Sequence, residues 1–133
     1  MVLIGTTIAV GYDKSSSDRP GGYAELVVST QPRAPIEYVT TGIWPEATLR
    51  DDAPVQVQAA QLFARNLRAA LDAEGIGLRT LATRVGVNHA TISRALAGLR
   101  FCDAATLARL EAGLDTALWP TYETTIGYRT PTN

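Results

Sequence analysis

An α+β fold follows from three features of this sequence. Alternating, β-branched runs fill residues 2–44 and return briefly after Pro120, a block of helical periodicity fills 53–119, and prolines and glycines mark the junctions. The expected organisation is a β-rich N-terminal region over 1–52 that serves as a dimerisation or partner surface, a helical domain over 53–119 and a C-terminal tail over 120–133. At 133 residues the chain has room for one domain with a sizeable appendage. Its 46% hydrophobic and 19% charged residues support a packed core and argue against global disorder.

Val2, Ile4, Thr6, Ile8, Val10 and Tyr12 alternate and predict a first strand, followed by the polar connector "DKSSSDRPGG". "YAELVVST" and "IEYVTTGIW" are rich in β-branched and aromatic residues and flank "QPRAP", whose prolines cannot donate to a ladder. Together these runs predict a small three-stranded antiparallel sheet. Tyr122, Thr124, Ile126 and Tyr128 alternate again after Pro120 and offer a fourth strand to it.

Asp52 is the expected cap of a first helix, with Pro54 in its first turn. Val55, Ala59, Leu62, Phe63, Leu67, Ala70 and Leu71 then recur at three and four, running to about Glu74 before "GIG". A second helix is expected over Leu78 to Val85, with Leu78, Leu81, Ala82 and Val85 on one face and Gly86 ending it. A third follows the cap Asn88 and stops at Gly98. A fourth follows the cap Asp103, with Leu107 and Leu110 inward, and a short fifth is expected over Asp115 to Trp119.

A single cysteine, Cys102, excludes an internal disulfide, and one histidine with one cysteine supplies no zinc ligand set. Cys102 is expected to be buried beside the fourth helix. Trp44 and Trp119 are expected at the seam between sheet and helices, and Asp51 and Asp52 as helix-start charges. No nucleophile with a matching base, phosphate-binding glycine loop or metal spacing is visible, so neither an enzyme nor a cofactor is expected. "MVLIGTTIAVGY" has no basic leader and meets Asp13 and Lys14 too early to span a bilayer, so a cytoplasmic, non-membrane protein is expected. The net charge is −1, but residues 57–119 carry seven arginines against five acids, whereas 1–56 carry four basic groups against seven acidic ones.

The second and third predicted helices meet across "GVN". Ala82 is small where steeply crossing helices must approach, Gly86 permits a positive φ four residues later, and Ile92 plugs the core six further on. With this triplet inside four helices in register, roughly Gln61 to Leu118 resembles the phage-repressor family of helix-turn-helix regulators, the Cro/C1 or XRE type. That resemblance implies a five-helix lambda-repressor-like DNA-binding domain acting as a homodimer on an inverted repeat.

Carried over residue by residue, the resemblance implies base contacts from Asn88, His89, Ala90, Thr91, Ser93 and Arg94. It implies phosphate contacts from Arg79, Thr80, Arg84 and Arg100. Leu78 and Gly77 stand where many members carry a polar residue and a Ser or Thr cap, which shifts the phosphate role to Arg79 and Thr80. The function implied is a sequence-specific double-stranded DNA-binding regulator, a repressor of bacterial or phage type. The alternative is an antitoxin-like protein that holds a protein partner through residues 1–50 and autoregulates its operon.

Overall fold

The computed structural model describes residues 33–127. The strands expected over 2–12 and 23–30, the connector between them and Tyr128 lie outside the described residues. The partner surface expected over 1–50 is therefore described only from Arg33 onward.

The described chain is mixed α and β: a two-stranded antiparallel sheet and five helices. A 3-10 turn at Pro35–Tyr38 leads into β1 (Val39–Thr41), which pairs with β2 (Thr48–Leu49). Val39 faces Leu49 and Thr41 faces Thr48, with an irregularity between them. The strand expected across "IEYVTTGIW" is thus three residues long. Its opening becomes the 3-10 turn, where Pro35 sets φ, and its end becomes a loop through Gly42 (φ +87°).

The helices are α1 (Val55–Glu74), α2 (Leu78–Val85), α3 (His89–Leu96), α4 (Ala104–Leu114) and α5 (Tyr122–Gly127). In α1, Val57, Ala60 and Ala64 pack with Trp44, Leu49 and Ala53 of the hairpin region. Phe63, Leu67 and Leu71 face Leu81, Ala82, Ile92, Ala95, Leu110, Leu114 and Leu118. α1 therefore separates two apolar clusters and orders both. Gln61, 1% exposed, lies within α1, and its Nε2 donates to Pro45 O (2.9 Å) and Ala47 O (2.6 Å). A buried amide is satisfied and the hairpin loop is tied down by the same bonds.

Several expectations need correction. Asp52 does not cap α1: its carboxylate pairs with Arg50 (2.8 Å), and Pro54 stands at the cap position without a side-chain bond. Val55, expected inward, is 46% exposed. The helix expected over 115–119 is a loop. Asp115 takes a left-handed φ of 51°, and the Glu111 carboxylate accepts from Leu118 N (2.7 Å) and Trp119 N (3.1 Å), drawing these amides out of any helical ladder. Trp119 packs on Phe63, ring centroids 5.9 Å apart, within the helical cluster and not at the sheet.

The alternating tail is also helical. Thr121 accepts from Thr124 N (3.1 Å) through its hydroxyl and from Thr125 N (2.9 Å) through its carbonyl, so it starts α5. Only Thr125 of α5 is buried, and alternation carried by exposed side chains imposes no strand.

Candidate nucleic-acid interface

The backbone between α2 and α3 is set locally. Gly86 adopts φ +70°, and both its N–H and that of Val87 bond to Ala82 O, at 2.9 and 3.2 Å. Asn88 then caps α3, its Oδ1 accepting from Ala90 N at 2.7 Å. Ala82, Ile92 and Ala95 are buried where the two helices meet the common core. Behind them α4 closes in: an added Cβ on Gly113 would run into Val85 Cγ1. Arg109 Nη1 on α4 also donates to Gly86 O (3.1 Å), bracing the turn.

The hairpin fixes the other end of α3. The Trp44 indole Nε1 donates to Leu96 O (3.0 Å), and Ile36 N donates to Gly98 O (2.9 Å). Gly98 has φ +76°, and its missing side chain is the space the Trp44 ring occupies, since a Cβ there would lie 2.6 Å from Cε2. Both ends of an eight-residue helix are thereby held, one by its own cap and one by a residue 52 positions away.

Of the residues expected to meet base edges, Asn88, Thr91 and Arg94 are exposed, whereas His89, Ala90 and Ser93 are half-buried. Because the Asn88 oxygen is engaged as a cap, its NH₂ is the group left to contact a ligand, as a donor. Of those expected at phosphates, Arg79 and Thr80 are exposed at the start of α2, and Arg100 is exposed in the connector after α3. Arg84 differs from these. Its Nη1 donates to Glu74 Oε1 (2.8 Å) and Gly113 O (3.2 Å), so it ties α2 to the end of α1 and to α4. Gly77 makes no side-chain cap, and Leu78 packs against the helical cluster.

Between Glu74 and Asp103 the chain has no acidic residue, four arginines and its only histidine. With Arg84 paired, Arg79, Arg94 and Arg100 are left without an acidic partner among the described residues. Thr83 escaped the sequence reading: it lies one turn after Arg79 and lines the same shallow grooves. The i, i+4 spacing was the available signal.

The far side of the connector is chemically quiet. Asp103 caps α4, and the bonds it accepts from Thr106 N (2.8 Å) and then Thr106 Oγ1 (2.9 Å) hold its carboxyl below the usual value. Cys102 is half-buried; burial first, then the charges of Asp103 and Glu111, push its thiol up to about 11. That thiol is protonated at neutral pH and is a poor nucleophile.

No protein-family model, curated protein or solved structure matches the chain. No helix among the described residues is long and apolar enough to cross a membrane.

Proposed function

We propose that this chain is a sequence-specific double-stranded DNA-binding regulator, a repressor, whose helical part is a lambda-repressor-like domain acting as a homodimer on an inverted repeat. The observation that carries this reading is the α2–α3 unit. Two eight-residue helices are joined by a left-handed glycine, with both ends of the second anchored. Their outward side chains include two arginines without acidic partners among the described residues, Arg79 and Arg94, and Arg100 follows in the connector.

A short helix held at both ends and exposed along one side enters a major groove as a rigid probe. Thr91 and Arg94 are its most accessible central side chains. Arg94 suits a bidentate bond to guanine, Thr91 and Ala90 suit a thymine methyl, and the Asn88 amide suits an acceptor on a purine edge. Arg79 and Arg100, outside α3 on either side in sequence, suit phosphates of the groove walls.

Selection of bound duplexes from a random DNA pool tests the reading directly. Enrichment of an inverted repeat, lost in Arg94→Ala, is the expected result. A pool that returns unenriched from wild-type protein overturns it.

A further inference from the structure

Two shallow grooves run along α2 and share Arg79 and Thr83. One continues past Thr80 to Arg84, and the other crosses Ala82, Gly86 and Val87 to His89 at the start of α3. The lining has no acidic side chain. Arg84 is already engaged with Glu74 and Gly113 O, so it contributes little free charge. Arg79, Thr83 and His89 have no side-chain hydrogen-bond partner among the described residues, and Arg79 and Thr83 share a helix face one turn apart.

We infer that Arg79, Thr83 and His89 form one seat for a single DNA backbone phosphodiester, which moves His89 from base reading to backbone positioning. The inference rests on the DNA-binding reading above. Its physical basis is shape and donor chemistry. Base edges lie at the floor of a groove and are reached by side chains that protrude, as Thr91 and Arg94 do from α3. A shallow groove at a helix junction, lined by donors without partners among the described residues, suits instead the ridge of a phosphate backbone.

A guanidinium, a hydroxyl and an imidazole lining one shallow groove supply donors to the non-bridging oxygens of one phosphate. The Ala82–Gly86–Val87 side of the hollow is small and apolar, which lets the backbone approach closely. Thr83 thus becomes a binding residue, and His89 contributes equally to every DNA sequence.

The test uses the full chain and a duplex obtained by selection, remade with one backbone phosphate at a time replaced by a neutral methylphosphonate. Proteins compared are wild type, Arg79→Gln, Thr83→Val, Thr83→Ser and His89→Gln, each checked by its helical thermal transition. At one backbone position, neutralisation is expected to weaken wild type about tenfold, in line with loss of a charge-assisted hydrogen bond, but Arg79→Gln, Thr83→Val and His89→Gln only about twofold further. Thr83→Ser, which keeps the hydroxyl, is expected to behave as wild type.

Equal losses in wild type and variants at every position overturn the seat while leaving DNA binding intact. A changed sequence preference in His89→Gln also overturns it, because the histidine would then be reading bases. Failure of wild-type protein to bind any duplex removes the DNA reading itself, and this inference with it. Should Thr83→Val not fold, the Arg79→Gln and His89→Gln comparisons decide the outcome alone.

Discussion

Four arginines of one short segment carry the same charge in different settings. Arg84 is committed to Glu74 and Gly113, Arg79 lines a groove, Arg100 lies in a connector, and Arg94 is exposed on α3. Arg94→Ala is therefore expected to cost about 1–3 kcal/mol on a selected site and little on scrambled DNA, whereas Arg100→Ala weakens both alike and flattens the salt dependence by about one ion. Titrations on matched and scrambled duplexes at several salt concentrations separate the two; equal losses for Arg94→Ala would reassign it to the backbone. Cys102 makes a second prediction. Because its thiol is pushed from 9.0 up to about 11, the neutral form is favoured on folding. That contribution is whole below pH 9 and disappears as pH rises through 11. The thermal midpoint should fall over that window more in wild type than in Cys102→Ala, and alkylation at pH 8 should be slower than for a free thiol.

The helices differ in how openly they announce themselves. α2 and α3 were legible because their signals are local: Gly86 in the turn, Asn88 as cap, and apolar residues at three and four. The hairpin was not, since Thr48–Leu49 is two residues long and carries no alternation to read. α5 carries a strand-like pattern, because tyrosine, threonine and isoleucine alternate there, while the decisive residue, Thr121, acts through hydroxyl and carbonyl bonds. The junction of hairpin and α3 is the point most sensitive to mutation. Gly98→Ala introduces a side chain at φ +76° and into the Trp44 ring. A loss of about 2–4 kcal/mol is expected, combining backbone strain with overpacking. Urea unfolding with an unchanged slope measures it; a loss under about 1 kcal/mol would mean that the Trp44 ring moves aside at little expense.

For the whole molecule, one α3 in the proposed role would read only a few base pairs, and the proposed specificity requires two. Two protomers on an inverted repeat should place their α3 helices in successive major grooves, roughly 34 Å apart. Sedimentation of the protein–duplex complex is expected to give two chains per duplex. Inserting about five base pairs between half-sites, half a helical turn, should abolish the tight complex. Retention of full affinity after that insertion would indicate independent monomers. Affinity should also fall steeply with salt, since the phosphate contacts proposed for Arg79 and Arg100 release counterions.

Features set within a turn or two of chain could be read in advance: the periodicity of α1, the caps of α3 and α4, and the left-handed glycine between α2 and α3, whereas of the side chains expected outward on α3 only Thr91 and Arg94 are exposed. The former depend on backbone dihedrals and neighbouring side chains, which adjacent residues dictate. Which arginines remain free could not be read, because Arg84 finds its partners 10 and 29 positions away. The anchoring of α3 by Trp44 spans 52 positions, and the hollow shared by Arg79, Thr83 and His89 exists only once α2 and α3 are docked. Such contacts depend on how the two apolar clusters assemble around α1, and packing of that kind brings together residues with no local signal connecting them.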